Sequence, residues 1–207
     1  MSLLFSESPI LGSISVLAIG GALYSKSNIL IGLTITCFLF LLFFYRSSDI
    51  KLDISQDTVV SPCEGKIVKI IDRGENIYLA IFMSVLDKHT QIYPANCNVV
   101  SRVYDHSGKF EIVSDLDKSR YNEKKIHKLL LDNGGIIQLT QIAGFIPRAI
   151  TSSEELTHYK AGDYLGMIKF GSRIDLEISK KSTTGTFNIR AKENDLITLG
   201  DIIGEYV

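Results

Sequence analysis

Several residue types that mark particular protein classes are scarce in this chain of 207 residues. Tryptophan is absent, and the three cysteines, Cys37, Cys63 and Cys97, form no Cys-x-x-Cys pair and have no neighbouring histidine pair. This spacing argues against a disulfide framework and against a zinc site, and it favours a reducing compartment. The formal net charge is −1, so the basic excess of nucleic-acid-binding proteins is missing. We therefore expect neither a metal nor a nucleic-acid partner.

Charged residues are also missing from most of the N-terminal region. The windows Ser8–Ser25 and Ser27–Tyr45 contain none, and at about 1.5 Å per residue each could cross most of a ~30 Å hydrocarbon core. We expect residues 1–46 to form a transmembrane hairpin of two helices. Because a hairpin returns the chain to its starting side, we expect the following domain to face the cytoplasm.

Two other interpretations of the N-terminal region are weaker. A cleaved signal peptide needs a basic start, and no lysine or arginine precedes the first apolar run. Two buried core helices would each need a polar face, but the second run, ILIGLTITCFLFLLFFY, is apolar all round. The membrane anchor is therefore the preferred prediction.

After Arg46 the pattern changes to short β-branched or alternating runs separated by Gly, Asn, Asp and Ser, which predicts a mostly β domain over residues 47–207. Only Lys124–Leu131 hints at a helix. The predicted strands are TVVSP (58–62), GKIVKII (65–71), NIYLAIFM (76–83), NVVSRVY (98–104), GIIQLTQIAGFI (135–146), YLGMIKF (164–170), RIDLEI (173–178), GTFNI (185–189) and DIIGEYV (201–207).

Two turn patterns resemble the biotinyl/lipoyl-like, barrel-sandwich class of folds. They are the Pro and Glu-Gly turn in SPCEGKIVKI and the Gly-Asp-x-x-Gly turn shared by KAGDYLGMI and LGDIIGEYV. A lipoyl or biotinyl carrier also needs a modifiable lysine at a hairpin tip. Lys88 and Lys118 each follow Leu-Asp, but neither is flanked by symmetric strands, so a carrier or adaptor remains a minor alternative.

The best candidate for unusual chemistry is the Gly171-Ser172 bond in MIKFGSRIDL. Apolar strands are predicted on both sides of it, so the serine would sit in a short connection held at both ends. Glycine tolerates backbone geometries that other residues do not. A hydroxyl beside a strained carbonyl is what an N→O acyl shift requires. Taken alone, however, Gly-Ser is a common turn.

The context of this bond resembles the phosphatidylserine decarboxylase family. FGSRIDL, preceded by GDYLGMIK, is similar to the family's processing motif, and IFMSVLDKHTQIYP (81–94) is similar to its motif of the form FMSPLDVHxNRxP. The match runs in order over most of residues 57–178 and suits the short bacterial and archaeal form. The remaining similar blocks are SPCEG (61–65), HSGKF (106–110), Asn122-Glu123 and QIAGFIPRAI (141–150).

This resemblance implies that the chain cleaves itself and makes its own cofactor. Ser172 would attack the carbonyl of Gly171, and the chain would split into fragments 1–171 and 172–207. The new N-terminus would become a pyruvoyl group, which forms a Schiff base with the substrate amine and accepts electrons as carbon dioxide leaves. The implied substrate is phosphatidylserine in the membrane, and the implied product is phosphatidylethanolamine.

The resemblance also gives roles to four other residues. His89 matches the family's motif histidine and would act as acid and base, because imidazole changes its charge near neutral pH. Glu64 takes the place of the family's aspartate and would act as a base or as an orienting carboxylate. Its added methylene shifts that carboxylate, and catalytic geometry is sensitive to such shifts. Arg148 and Arg173 would bind the oxyanions of the substrate, since guanidinium binds such groups bidentately. Each arginine could equally be a surface salt-bridge residue.

Other departures from the family pattern leave alternatives open. Val85 stands where the family has proline, Pro147 and Ala149 flank Arg148, and Ala95-Asn96-Cys97 replaces a turn containing glycine. A non-catalytic relative that keeps the fold but does not mature is compatible with these changes. So is a decarboxylase of another serine-bearing lipid, with acyl or ether chains. The sequence leaves open whether the chain forms a homo-oligomer.

Overall fold

The computed structural model describes residues 3–47, 50–106, 116–119, 121–144, 150–153, 156–169 and 172–207. The chain divides into two compact units, Met1–Ser48 and Asp49–Val207. The first is helical. The second is built mainly of strands, so the predicted mostly β architecture with N-terminal helices is confirmed. The barrel-sandwich likeness stays a prediction.

The helical unit contains α1 (Leu4–Glu7), α2 (Pro9–Ser25) and α3 (Asn28–Phe44). Proline opens α2 at a position whose N–H would have no partner within the helix, so its lack of an N–H costs nothing there. Lys26 ends that helix in the left-handed conformation with φ of 52°. The two longer helices have 17 residues each. No helix in the described part of the chain is both long enough and apolar enough to cross a membrane.

In the described part of the second unit, one short helix, α4 (Leu116–Ser119), accompanies the strands that follow. They are β1 (Thr58–Val60), β2 (Gly65–Asp72), β3 (Asn76–Met83), β4 (Thr90–Ile92), β5 (Cys97–Asp105), β6 (Lys124–Leu131), β7 (Ile136–Ala143), β8 (Ile150–Ser152), β9 (His158–Tyr159), β10 (Tyr164–Ile168), β11 (Ser172–Ser179), β12 (Phe187–Ile189), β13 (Leu196–Ile197) and β14 (Ile202–Tyr206).

The largest sheet is antiparallel and has the strand order β13-β2-β3-β11-β7-β6-β5-β9. Strand β11 lies in its middle, between β3 and β7. The alternation of β11 sends Ile174, Leu176 and Ile178 into the hydrophobic core. Two three-stranded sheets, β1-β14-β12 and β4-β10-β8, complete the unit.

Each of the nine predicted strands overlaps an observed strand, although positions 145–146 and 170 of two of them lie outside the described residues. The hint of a helix at Lys124–Leu131 was wrong. This segment is β6, which pairs with β5 and β7. Its inner face carries Lys125 and His127 as well as leucines, and all of them are buried. Because polar residues share the inner face, the alternation of hydrophobic and polar residues that marks a strand is hidden in the sequence.

Candidate functional site

Ser172 lies inside the β unit, at the first residue of β11. Its backbone pairs with Met83 of β3 and with Ala143 of β7. Its side chain is fully buried, and the hydroxyl donates a hydrogen bond to Met83 Sδ at 3.5 Å. Because a thioether is a weak acceptor, the hydroxyl loses little by turning toward a stronger one. Gly171, the other half of the predicted cleavage site, lies outside the described residues.

Residues before β6 hold the strand next to Ser172 in place. Asn122 Nδ2 donates to the carbonyl oxygen of Ala143 at 2.9 Å, and the Ala143 N–H donates to the carbonyl oxygen of Glu123 at 2.9 Å. The Glu123 carboxylate accepts a hydrogen bond from Tyr104 Oη. Asn122-Glu123 was recognised in the sequence only as a matching block. The structure adds its role, which is to fix the residue that pairs with Ser172.

His89 lies between β3 and β4, six positions after the Met83 that contacts Ser172, and it is fully buried. Its Nδ1 is 2.8 Å from the carbonyl oxygen of Asp87. A carbonyl can only accept, so Nδ1 carries the proton in this contact. In the neutral ring, Nε2 is then the basic nitrogen. The Asp87 carbonyl thus selects the tautomer that a general base needs.

Glu64 reaches the same end of the sheet because Gly65 allows a close approach between β2 and β3. A Cβ atom on Gly65 would lie 2.3 Å from the carbonyl oxygen of Phe82, so only glycine fits there. Neighbouring strands lie about 4.8 Å apart, which places the β2 and β11 backbones roughly 10 Å apart across β3.

The neighbouring Cys63 is not a competing nucleophile. Burial, followed by the negative charges of Asp87 and Glu64, raises the pKa of its thiol well above the ordinary value. The thiol therefore stays protonated and unreactive at neutral pH.

A chain of buried polar side chains continues from His89 into the core, and the sequence analysis did not predict it. Gln91 Nε2 donates to the carbonyl oxygen of His89 at 2.7 Å and lies 3.9 Å from Met83 Sδ. Gln141 Nε2 donates to Gln91 Oε1 at 2.8 Å, and His127 Nε2 is 2.8 Å from Gln141 Oε1. Only the match of the blocks around Gln91 and Gln141 drew attention to this region.

Arg173 points to the opposite face of the sheet from Ser172, because adjacent strand residues alternate. Its side chain is almost wholly buried, with Nε 2.7 Å from Asp175 Oδ1 and Nη2 3.0 Å from Asp175 Oδ2. It lines a cavity of about 520 Å³ together with Lys69, Ile71, Arg73, Tyr78, Lys124, Ile126, Gln138, Thr140, Ile142, Asp175, Leu176 and Glu177. The second predicted arginine, Arg148, lies outside the described residues.

The Arg173→Met variant tests whether this arginine is structural. Losing one partner of a buried ion pair leaves Asp175 uncompensated, so we expect the free energy of unfolding to fall by about 3–5 kcal/mol in urea titrations. The control is Arg190→Met, which removes the more exposed pair with Glu205 and should change it by less than about 1 kcal/mol. Unchanged stability with a raised KM would instead support substrate binding by Arg173.

Within the described ranges, no group of three or more His, Cys, Asp or Glu side chains is placed to hold a metal ion. Ser172 itself contacts Met83 and pairs with Ala143, while a histidine, His89, and a carboxylate, Glu64, follow or precede strands at the same end of the sheet. Such a set can move protons to and from a serine hydroxyl without a metal.

Comparisons with known proteins show the family to which the chain is similar. A model of the family described as phosphatidylserine decarboxylase matches residues 37–205. The chain is 35% identical over 153 residues to the phosphatidylserine decarboxylase proenzyme of Rickettsia typhi and 36% identical over 149 residues to that of Gluconacetobacter diazotrophicus. These matches cover 68% and 66% of this chain.

The same name is carried by a protein of Neisseria meningitidis serogroup B, which is 34% identical over 146 residues, or 66% of this chain. The chain spans 65% of the length of the Rickettsia and Gluconacetobacter proteins and 54% of that of the Neisseria protein.

Proposed function

Because this chain belongs to the phosphatidylserine decarboxylase family, we propose that it converts phosphatidylserine to phosphatidylethanolamine and carbon dioxide after cleaving itself between Gly171 and Ser172. The observation that carries the proposal is the position of Ser172. It is a fully buried serine at the start of the central strand, on the same end of the sheet as His89 and Glu64. A serine kept only for solubility would lie at the surface.

The cleavage uses this chain's own atoms. Ser172 Oγ attacks the carbonyl carbon of Gly171, the C–N bond breaks, and an ester with a free amine on Ser172 results. Loss of the Ser172 Cα proton then expels the Gly171 carboxylate by breaking the Cβ–Oγ bond. The remaining enamine, at the start of fragment 172–207, tautomerises and reacts with one water to give the ketone and ammonia. No oxidant is needed, because the elimination itself raises the oxidation level of Cα.

His89 takes the proton from the Ser172 hydroxyl in this account. Its Nδ1 is held by the Asp87 carbonyl, so Nε2 is the acceptor. Glu64 contributes a negative charge near the same segment, which favours the imidazolium that forms. The weak bond from Ser172 to Met83 Sδ is given up when the hydroxyl turns toward the base.

The room around residue 172 fits a pyruvoyl group. A ketone oxygen replaces the serine nitrogen and a methyl group replaces the hydroxymethyl group, so the pyruvoyl group has fewer heavy atoms than the serine from which it forms. The site that buries Ser172 therefore accepts it without enlargement. When present, this group supplies the electron sink for loss of carbon dioxide. His89 then remains in place to hold and return the proton that replaces the carboxylate.

The helical unit supports a lipid substrate. Apolar side chains on both long helices are exposed, including Ile10, Leu17, Ile29 and Leu33. Exposed apolar patches of this kind mark surfaces that bind a membrane or another protein. We propose that α2 and α3 embed in the bilayer and keep the β unit beside its lipid substrate, on the cytoplasmic side, at high effective concentration.

Membrane attachment is tested by fractionating cells that express the full-length chain. If α2 and α3 embed in the bilayer, the chain stays in the membrane pellet after an alkaline carbonate wash, while Leu17→Lys/Leu33→Lys shifts toward the supernatant because a charge in hydrocarbon costs about 2.5–3.5 kcal/mol per residue. The matched control is Leu130→Lys/Ile136→Lys, which places the same charges on exposed residues of the β unit. Release of the unmodified chain by the wash would contradict the proposal.

The enzymatic proposal is tested by carbon dioxide release from vesicles containing phosphatidylserine labelled in the serine carboxyl group. The purified chain should release label and Ser172→Ala should not. Vesicles with other serine-bearing lipids, ester or ether linked, then give the substrate range.

The second candidate is a non-catalytic relative, and the presence of Glu64 in place of the family's aspartate favours it. A chain that stays whole and releases no label would support this candidate.

A further inference from the structure

Three buried residues outside the proposed mechanism form a continuous hydrogen-bonded path to His89. His127 lies on β6, Gln141 on β7 and Gln91 on β4, and each is fully buried. They come from separate parts of the chain and meet on the core face of the sheet. Burial of polar groups is unfavourable unless each is bonded, so their assembly in the core calls for a reason beyond packing.

The path has one direction, and the His89 carbonyl determines it. The His89 carbonyl can only accept, so the Gln91 amide presents its nitrogen to it and its oxygen to Gln141. The Gln141 amide must then present its nitrogen to Gln91 and its oxygen to His127. His127 Nε2 must therefore carry a proton, because an oxygen acceptor needs a donor. Turning any one amide would set donor against donor and acceptor against acceptor.

The near end of the path touches both supports of the reacting serine. Gln91 Nε2 binds the His89 carbonyl and lies 3.9 Å from Met83 Sδ, and Met83 Sδ accepts the hydrogen bond from Ser172. A change at His127 therefore reaches the base and the nucleophile through the Gln141 amide and then the Gln91 amide.

We propose that His127, Gln141 and Gln91 are positioning residues for self-cleavage. The N–H of His127 anchors the far end of two buried amides, and these hold the backbone of His89 and hence the direction of its ring relative to Ser172. This inference rests on the proposed function, in which His89 removes the serine proton. It adds His127 as a residue that acts on the reaction without touching the reacting atoms.

The kinetic test compares His127→Leu with His127→Gln in the full-length chain. Leucine fills the space but donates no hydrogen bond, so self-cleavage should slow by about 10- to 100-fold, as expected for a small misalignment of catalytic groups. Glutamine keeps a side-chain N–H and should restore most of the rate. His158→Leu, at a half-exposed histidine paired with Asp132, is the control and should cleave like the unmodified chain. Equal rates for His127→Leu and His127→Gln would overturn the proposal.

A second measurement decides the matter without cleavage. In the full-length Ser172→Ala chain, nitrogen NMR of the histidine rings should show His127 protonated at Nε2. The His89 ring signals should move in His127→Leu and in Gln141→Met, and return in His127→Gln. His89 signals that do not change in these variants would overturn the proposal that the hydrogen-bonded path positions His89. If the unmodified chain never cleaves, the proposed function fails. The NMR result still supports or overturns the positioning of His89 by the hydrogen-bonded path.

Discussion

Replacing His89 by glutamine is expected to slow self-cleavage by about 10²- to 10⁴-fold, the range typical for removal of a positioned general base. Glutamine resembles the imidazole in size and can still donate to the Asp87 carbonyl, which now holds His89 Nδ1. It has no basic nitrogen to offer Ser172. The rate is measured by following the appearance of the two fragments in freshly made protein.

The matched control is His158→Gln, which changes a half-exposed histidine far along the chain and should cleave at the unmodified rate. Thermal unfolding of the uncleaved chains checks that His89→Gln keeps its fold. Cleavage of His89→Gln at the unmodified rate would show that another group removes the serine proton.

Replacing Glu64 by glutamine is expected to slow self-cleavage by roughly 10- to 100-fold. In the proposed arrangement the Glu64 charge stabilises the His89 imidazolium, and a charge within a few ångströms of another contributes about 1–3 kcal/mol at a partly buried site. Glu64 is half-buried and close enough to Cys63 to help raise the pKa of its thiol. Glutamine keeps the shape and removes the charge.

Glu64→Asp is the informative companion, since it restores the carboxylate found in the family pattern. We expect it to cleave at least as fast as the unmodified chain. If Glu64→Gln cleaves normally, Glu64 has no part in the reaction. If only Glu64→Asp cleaves, the present glutamate is what prevents maturation, and the non-catalytic alternative is correct.

The strand pattern was predictable where hydrophobic and polar residues alternate in register with burial. RIDLEI shows that alternation and became β11, while GKIVKII and NIYLAIFM, short runs rich in β-branched or aromatic residues and bounded by turn residues, became β2 and β3. Strand β6 was missed because its inner face carries Lys125 and His127, whose burial depends on partners elsewhere in the chain. Short strands such as β9 and β13 have two residues each, too few for a periodic pattern to show.

The sequence predicted candidate residues for the site, but it did not predict the hydrogen-bond partners that hold them. Ser172 and His89 stand in motifs, but the tautomer of His89 depends on the Asp87 carbonyl and its backbone on Gln91. Gln91 and Gln141 are 50 positions apart, and local sequence says nothing about such a contact. The opposite facing of Ser172 and Arg173, by contrast, follows from the strand alternation alone. The roles predicted for Ser172, His89, Glu64 and Arg173 stay predictions, as do those for Gly171 and Arg148, which lie outside the described residues.

The measurement that tests the central claim most directly is the intact mass of the purified full-length chain beside Ser172→Ala. The account predicts two fragments from the unmodified chain, 1–171 and 172–207, with the smaller one lighter by one ammonia than a peptide beginning with serine. It predicts one uncut chain from Ser172→Ala. A single uncut chain from both proteins would contradict the account.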